Sequence, residues 1–398
     1  MNNMNQTTAE LHIEEILRED LATVKSREKN SFDQLIAPFN QSIVLFGAGN
    51  LGQQVLSQLR KDGVEPLAFA DNNVAIHGTT VSGLNVLSPQ SAAVQYGQSA
   101  AFVVTAWNTN HSFVETKKML EALGCAKVVS VATFRWKHPE TFLPFFWAEL
   151  PSKTCEHKED ILSILPLWAD NFSRGEYLAQ LQWRVWGDFD FLARPVPQES
   201  YFPDDIFTLL VDEKFVDCGA YDGITIQQFL SRQPSFTGSV LAFEPDPANY
   251  TRLRTYTSNL DSKLRVMIEA FPYAVSAVRG KVRFDATGDM GAAISQVGTL
   301  EVDCFPLDDL FAQQNFSPTY IKMDIEGAEL DALKGAQNTI RSQSPILAIC
   351  SYHRCDDLWR IPAYIHSLYP DYSLFLRPHE IEGWQLVCYA VPKSRLKS

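Results

Sequence analysis

The sequence predicts an α/β protein with two open sheets joined by a helical connector. Between residues 42 and 135, short apolar runs typical of strands alternate with helical patterns. Aromatic residues at helical spacing then replace this alternation, and a second alternating series runs from 206 to 392. We therefore expect an N-terminal helix at 1–36, a first α/β unit at 37–136, a helical connector at 137–205 and a second α/β unit at 206–398.

Apolar residues between 8 and 29 follow the 3.6-residue period of a helix, with acidic residues early and basic residues late. This pattern predicts one amphipathic helix. We expect its apolar face to pack on the following domain or on another subunit, which leaves a homo-oligomer open.

The net charge of −13 opposes binding to phosphate backbones, so a nucleic-acid substrate is disfavoured. The chain has no membrane-spanning apolar run and does not begin with a secretory signal, so no membrane association is expected. Its seven cysteines are scattered, without C-x-x-C pairs, as in proteins with reduced thiols. We expect a cytoplasmic protein.

The first α/β unit contains a glycine-rich turn between a strand and a helix. Gly47, Gly49 and Gly52 flank Asn50 in the order G-x-G-N-x-G, and Asp71 follows Gly52 by nineteen residues at the end of the next strand. This context matches a dinucleotide-binding fingerprint and predicts that these five residues bind a nucleotide. The alternative is that the glycines serve only close packing of the helix on the strand.

This first unit ends near residue 135 and lacks the second half that binds nicotinamide in dehydrogenases. It resembles the small Rossmann-like domain at the front of bacterial sugar O- and N-acyltransferases. That resemblance implies a nucleotide sugar as the ligand of the N-terminal domain.

A different turn opens the second unit. The segment FVDCGAYDGITIQQFL predicts a buried strand, a turn containing Gly219 and Gly223, and a helix. Asp217 opens this turn, which suits a positively charged ligand better than a phosphate. Glu244 ends the next strand, where an α/β sheet presents a carboxylate to the hydroxyls of a ribose. With Asp324 at the end of a third strand, the sequence predicts a site for a cationic nucleoside.

The motifs DCGAYDG, AFEPDP, IKMDIEGAELDALKGA and SYHRCDDLWRIPAYIHSLYPDYSLFLRPHE together resemble the FkbM family of S-adenosylmethionine-dependent methyltransferases. The resemblance covers residues 206 to 392. It implies a class I methyltransferase sheet, Rossmann-like, with an antiparallel last strand. Independently, the short turn from His379 to Gly383 requires the two late strands to pair antiparallel.

The resemblance also implies roles for individual residues. Asp217, Gly219 and Gly223 would hold the methionine part of the cofactor, Glu244 the ribose hydroxyls, and backbone near Ala274 the adenine. Asp324 would lie near the methyl group, with Glu326 and Glu329 behind it. The remaining predicted cofactor-binding residues are Ala220, Tyr221 and Pro245. Tyr221 departs from the class I pattern, which has a glycine there, and this leaves the shape of the turn open.

Attack of a hydroxyl on a sulfonium methyl needs alignment and the removal of one proton. His353, directly after a predicted strand, is the first candidate base, and Asp324 is the second. Alternatively, His353 caps the strand or binds Asp356 or Asp357. Asp324, Glu326 and His353 are ligand types that suit Mg²⁺ or Mn²⁺, but their spacing does not demand an ion, so no metal is predicted.

The sequence thus predicts an S-adenosylmethionine-dependent methyltransferase that modifies a hydroxyl of a sugar, a glycan or a similar small polar acceptor. One alternative is a nicotinamide-dependent oxidoreductase that uses the N-terminal unit. Another is a non-catalytic sensor that binds a nucleotide or cofactor.

Overall fold

A computed structural model describes residues 6–192, 194–285, 293–294, 298 and 300–397. The chain divides into two units. The N-terminal unit comprises Leu11–Lys158 and Leu178–Ala193, and the C-terminal unit comprises Met1–Glu10, Glu159–Tyr177 and Arg194–Ser398. Residues 137–205, the predicted connector, contain helices and are divided between the two units.

The helices up to residue 186 are α1 (Gln6–Ile16), α2 (Leu21–Ile36), α3 (Asn50–Lys61), α4 (Pro89–Tyr96), α5 (Phe113–Ala122), α6 (Ala132–Lys137), α7 (Pro139–Phe142), α8 (Pro151–Cys155), α9 (Lys158–Ile164) and α10 (Asn171–Trp186). The strands in this part are β1 (Ile43–Phe46), β2 (Ala68–Ala70), β3 (Thr80–Val81), β4 (Leu84–Leu87), β5 (Ala101–Val104) and β6 (Lys127–Ser130).

The predicted N-terminal helix is two helices, which corrects the prediction of one. Asp20 ends the break between α1 and α2, and its carboxylate accepts hydrogen bonds from the backbone N–H groups of Ala22 and Thr23. An aspartate at this position satisfies two of the N–H groups that a new helix leaves unpaired. The apolar period continues through the break, which is why the sequence pattern did not reveal it.

The sheet of the N-terminal unit has the order β3-β4-β2-β1-β5-β6. Strand β1 pairs in parallel with β2 on one side and β5 on the other, and all four of its residues are buried. Such continuous apolar strands are typical of parallel sheets covered by helices on both faces. The chain runs outward from β1 in both directions, so the carboxyl ends of β1 and β5 border the point where strand order reverses, the usual place of a ligand crevice.

The C-terminal unit contains the remaining elements. Its helices are α11 (Ile224–Arg232), α12 (Pro247–Ser258), α13 (Ser262–Arg265), α14 (Leu307–Gln314), α15 (Glu329–Gly335), α16 (Gln337–Gln343) and α17 (Asp357–Leu368). Its strands are β7 (Lys214–Cys218), β8 (Ser239–Phe243), β9 (Ile268–Phe271), β10 (Ala274–Val275), β11 (Gly280–Asp285), β12 (Ala293–Ile294), β13 (Leu300–Phe305), β14 (Tyr320–Met323), β15 (Ile346–Cys350), β16 (Tyr372–Pro378) and β17 (Leu386–Pro392).

The main sheet of this unit has the order β16-β17-β15-β14-β7-β8-β9. Strands β7, β8, β9, β14 and β15 are parallel, whereas β17 pairs antiparallel with both β15 and β16. The predicted α/β class and the antiparallel last strand are therefore confirmed. The strands β10 to β13 form a separate four-stranded sheet. The carboxyl ends of β7, β8, β14 and β15 lie at one edge of the main sheet and carry the predicted site residues.

Candidate active site

The turn after β7 has three residues in the left-handed region, Gly219 (φ +77°), Tyr221 (φ +51°) and Gly223 (φ +94°). A Cβ atom on Gly219 would lie 1.9 Å from the carbonyl oxygen of Asp324, so only glycine fits between the turn and β14. Gly223 caps α11. The turn thus combines a close backbone approach with a new helix, as predicted.

Tyr221 takes a left-handed conformation, which glycine adopts more easily than a residue with a Cβ atom. For a residue with a Cβ atom this conformation costs about 1–2 kcal/mol. The Arg252 guanidinium lies over the Tyr221 ring, 5.3 Å from its centroid, and this contact offsets part of the strain. The tyrosine is therefore accommodated in a left-handed position of the turn, whose shape the sequence had left open.

Glu244 directly follows β8 and connects its own strand end to the glycine turn. One carboxylate oxygen accepts the backbone N–H of Tyr221 and the other accepts that of Asp246, both at 2.9 Å. The side chain is buried, and this burial raises the pKa of Glu244 to about 7. Each oxygen keeps a lone pair for a further donor such as a ribose hydroxyl.

The Asp217 carboxylate is fully buried and lies 2.9 Å from the ammonium of Lys322 on β14. Lys322 also donates to the carbonyl oxygens of Cys218 and Gly219, at 3.2 and 2.7 Å. Burial disfavours the charged lysine, but the carboxylates of Asp217 and Asp324 outweigh it and raise the pKa of Lys322. The sequence suggested that the charge of Asp217 faces a ligand; the structure instead balances that charge with Lys322, which holds the turn.

Three further predicted cofactor-binding residues flank these groups along the chain. Ala220 is buried within the turn, and Pro245, half-buried, follows Glu244. Ala274 begins β10, which pairs with β13 of the small sheet rather than with the main sheet. All three stay predictions as contacts of a cofactor.

A cluster of three carboxylates surrounds the imidazole of His353, which follows β15. Its Nδ1 lies 2.8 Å from an oxygen of Glu329, and its Nε2 lies 3.3 Å from Asp324 and 3.5 Å from Glu326. Of the partners considered in the alternative, Asp356 pairs with Arg360, whereas Asp357 accepts the backbone N–H of Arg354 and also interacts electrostatically with His353.

Charge within this cluster favours a protonated His353. Burial opposes the imidazolium, but the carboxylates of Glu329 and Glu326 outweigh it and raise the pKa of His353 well above its ordinary value. Burial raises the pKa of Glu326 as well. Burial would also raise the pKa of Asp324, but the positive charges of Lys322 and His353 outweigh burial and lower this pKa.

The members of the cluster differ in solvent exposure. The side chains of Asp324 and Glu326 are each 19% exposed, whereas those of His353 and Glu329 are 1% and 0% exposed. Only the first two can therefore contact a substrate directly. A doubly engaged, protonated imidazole does not suit the role of base that we assigned to His353, whereas Asp324 and Glu326 remain open to it.

Asp324, Glu329 and His353 also present ligand atoms that all lie within 4.8 Å of one another. Oxygen and imidazole ligands of this kind suit a divalent cation. The raised pKa of His353 favours an imidazolium, whose single positive charge offsets one of these carboxylates.

Sequence reasoning missed two contributors to the site, Lys322 and Tyr201. Lys322 lies in the middle of a strand whose residues are all buried, and a lysine in such a run is itself a signal of a buried ion pair. The Tyr201 hydroxyl lies 2.7 Å from a carboxylate oxygen of Asp324 and 2.9 Å from the side-chain oxygen of Gln385, and its single proton can be donated to either. Nothing in the spacing of Tyr201, which precedes the second alternating series, connects it to this site.

In the N-terminal unit, the predicted glycine turn lies at the carboxyl end of β1. The Asp71 carboxylate accepts the backbone N–H groups of Ala48 and Asn73, both at 2.8 Å. A Cβ atom on Gly52 would lie 1.9 Å from the carbonyl oxygen of Gly47, so Gly52 serves close packing. A Cβ atom on Gly49, at the start of α3, would meet no described atom within 4 Å. Packing therefore explains Gly52 but not Gly49.

Comparison with known proteins gives a match to a family model described as the methyltransferase FkbM domain, over residues 217–369. The matched region, less than half of the chain, is thus similar to the FkbM methyltransferase domain. It includes Asp217, Glu244, Asp324 and His353, and it excludes Tyr201, which contacts Asp324 from a segment before the domain.

Two curated relatives of the FkbM domain act on sugars or hydroxyl groups by name. Hexuronic acid methyltransferase AglP of Haloferax volcanii is 30% identical over 112 residues, which are 27% of this chain and 45% of the relative. The 2-O-methyltransferase NoeI of Sinorhizobium fredii is 27% identical over 151 residues, 32% of this chain and 59% of the relative. The chain thus spans about half the length of these relatives.

The solved structure of the FkbM methyltransferase from Methylobacillus flagellatus has the same fold. It covers 97% of this chain and 99% of its own, with a TM-score of 0.75 and 22% sequence identity. No helix among the described residues has both the length and the apolar character needed to span a membrane.

Proposed function

We propose that the chain transfers the methyl group of S-adenosylmethionine to a hydroxyl oxygen of a sugar or a similar small polar acceptor. The observation that carries this proposal is the position of Glu244. One of its oxygens is held by the N–H of Tyr221 within the glycine turn, and the other by the N–H of Asp246 at the start of α12. This places a fixed, desolvated carboxylate beside a turn that allows close approach of a ligand to the backbone.

The residues present fit S-adenosylmethionine, which supplies an electrophilic methyl group on a sulfonium ion. Glu244 would accept the ribose hydroxyls, since a carboxylate bound to one N–H at each oxygen keeps free lone pairs. The turn of Gly219, Ala220, Tyr221 and Gly223 would border the methionine part, and Pro245 and Ala274 the nucleoside. Asp217 would act indirectly, through the hydrogen bonds of Lys322 to the turn.

The acceptor is proposed from the chemistry of the acidic cluster and from the relatives. Asp324 and Glu326 are partly exposed carboxylates, which accept hydrogen bonds from hydroxyl groups. The names of the two relatives refer to a hexuronic acid and to a 2-O position. A sugar hydroxyl is therefore the acceptor that we would test first.

For removal of the hydroxyl proton we propose Glu326 as the base and Asp324 as a residue that orients the acceptor. A carboxylate with a raised pKa is the stronger base, and burial raises the pKa of Glu326 while the neighbouring positive charges lower that of Asp324. His353, protonated and buried, would position both side chains.

The test is methyl transfer from radiolabelled S-adenosylmethionine to a panel of hexuronic acids and neutral sugars. We expect Glu326→Gln to lower kcat by about 10²–10⁴-fold with little change in cofactor binding. Glu301→Gln, on β13 and outside the cluster, is the matched control and should keep kcat. Loss of no more than a few-fold in Glu326→Gln would remove Glu326 from the role of base.

A nucleotide ligand of the N-terminal unit is a second proposal, supported by Gly49 and Asp71. Gly49 leaves open space at the start of α3, a twelve-residue helix whose first N–H groups suit a phosphate. Gly47, Asn50 and Gly52 shape this turn, and Asp71 is fixed beside it. Titration with nucleotide sugars and dinucleotides tests this: binding to the wild type should disappear in Gly49→Glu, which places a carboxylate against the phosphates.

A further inference from the structure

A second candidate site lies wholly within the N-terminal unit, in a cleft that encloses about 310 Å³ of empty space, including its open mouth. Four indole rings and two arginines contribute to its lining. The lining residues are Trp107, Ala132, Arg135, Trp136, Leu143, Trp147, Ala148, Glu149, Trp183 and Arg184. Trp107 follows β5, and Arg135 lies on α6 just after β6, so the cleft opens at the carboxyl ends of these two strands.

Arg135 is the unusual member of this lining. Its side chain is only 3% exposed, yet its Nε and Nη1 atoms have no hydrogen-bond acceptor among the described residues. The guanidinium lies between two rings, 4.2 Å from the centroid of Trp107 and 4.6 Å from that of Phe145. Burial lowers the pKa of Arg135 to about 10. A buried cation without an acceptor is costly, and an anionic ligand would supply the missing acceptors.

The tryptophans add more donors and a flat apolar surface. The Nε1 atoms of Trp107 and Trp183 are buried and lack an acceptor within the part of the chain that the structure describes. The rings of Trp107, Trp147 and Trp183 are in mutual contact, with centroids 5.6 to 6.2 Å apart. Glu149, the carboxylate among the lining residues, accepts the backbone N–H of Leu150. The cleft is therefore rich in unmet donors and in aromatic surface.

We propose that this cleft binds one acidic sugar residue, with its anionic group on Arg135 and its ring on the indole surface. The apolar face of a sugar ring carries C–H groups that pack against the negative face of an aromatic ring, while its hydroxyls accept from indole N–H groups. The anionic group is a carboxylate or a phosphate, which present the same acceptors to a guanidinium.

Calorimetric titration of the full chain, without S-adenosylmethionine, tests this inference separately from methyl transfer. The probes are glucuronic acid and glucose 1-phosphate, which distinguish the two anionic groups, with glucose, acetate and inorganic phosphate as controls. We expect at least one acidic sugar to bind at least about tenfold more tightly than every control. Absence of binding by both acidic sugars, or equal binding of glucose or of the simple anions, would overturn the proposal.

Variants then locate the binding site. Arg135→Met keeps the length of the side chain but removes its charge and donors, and should weaken binding at least about tenfold. Arg60→Met is the matched control in the same unit, because Arg60 pairs with Glu65 at the surface, and it should leave affinity unchanged. If Arg135→Met does not fold, Trp107→Phe keeps a ring but removes the indole donor, and should weaken binding several-fold. Unchanged affinity in a folded Arg135→Met or Trp107→Phe protein would place the ligand elsewhere.

Discussion

The Glu244 carboxylate accepts two backbone hydrogen bonds, yet burial raises its pKa to about 7. Its ionised form is the better acceptor for ribose hydroxyls. Because the ionised fraction grows as pH rises through 7 and then saturates, binding of S-adenosylhomocysteine should strengthen about tenfold between pH 6 and pH 8. Calorimetry across this range measures the effect.

Glu244→Gln provides the control for this pH dependence. Glutamine has the same shape and keeps one acceptor, but it does not titrate, so its weaker binding should stay constant between pH 6 and pH 8. A wild-type affinity that is flat over the same range would contradict the assignment of Glu244 to the ribose.

His353 and Glu329 form a buried charged pair at 2.8 Å. Removing one partner leaves the other charge uncompensated, so His353→Gln should lower the free energy of unfolding by about 3–5 kcal/mol. Since its pKa is raised, the stabilising contribution of His353 should be full below about pH 6.5 and lost as pH rises through the raised value. Urea unfolding at several pH values measures both effects.

The double variant His353→Gln/Glu329→Gln removes both charges and is the control for this pair. It should be more stable than His353→Gln alone, because the fully buried Glu329 no longer carries a charge without a cation beside it. A double variant that loses the sum of the two single effects would show that the two residues do not act as a pair.

Several residues of the site could be predicted from the sequence because they follow strands. Glu244 and Asp324 both come directly after apolar runs, and the carboxyl ends of parallel strands share one edge of a sheet. The partners that set their charge states could not be predicted in this way. Lys322 and Tyr201 reach the site through side-chain packing across the sheet, which leaves no regular spacing in the sequence.

The glycine turn after β7 depends on a close contact with β14. At Gly219 a side chain is excluded by the positive φ and by the backbone of Asp324, whose carbonyl oxygen would lie only 1.9 Å from a Cβ atom. Gly219→Ala should therefore lower the free energy of unfolding by about 3 kcal/mol or more and weaken binding of S-adenosylhomocysteine. Thermal unfolding and calorimetry of the same sample measure these changes.

Gly280→Ala is the matched control for this turn, since a Cβ atom there meets no described atom within 4 Å. Its stability should remain close to that of the wild type. Equal, small effects of the two substitutions would show that the turn adapts and that its shape does not define the site.

Elements with a clear period were predictable, and short or interrupted ones were not. Strands β1, β5 and β15 are continuous apolar runs, and the structure confirms them. The two-residue strand β3 and its partner β4 were missed, because so short a hairpin shows no alternation. The break between α1 and α2 was missed since only its cap, Asp20, marks it.

At the scale of the whole molecule, the two α/β units share one hydrogen-bonding arrangement. In each unit a carboxylate after the second parallel strand accepts the N–H of a glycine turn: Asp71 binds Ala48, and Glu244 binds Tyr221. The two turns differ in the residues that precede them. Only the turn of the C-terminal unit follows a buried aspartate, Asp217, which pairs with Lys322. The two α/β units could be predicted from the sequence. The division of residues 137–205 between them could not, because it depends on long-range packing and not on a local sequence pattern.

The central claim is that the C-terminal unit is the one that binds S-adenosylmethionine, and the matching carboxylates allow a direct test. We would measure calorimetric binding of S-adenosylhomocysteine to the wild type, to Glu244→Ala and to Asp71→Ala. We expect one site per chain, with affinity at least about tenfold weaker in Glu244→Ala and unchanged in Asp71→Ala. No binding to the wild type, or a loss of affinity in Asp71→Ala instead of Glu244→Ala, would contradict the claim.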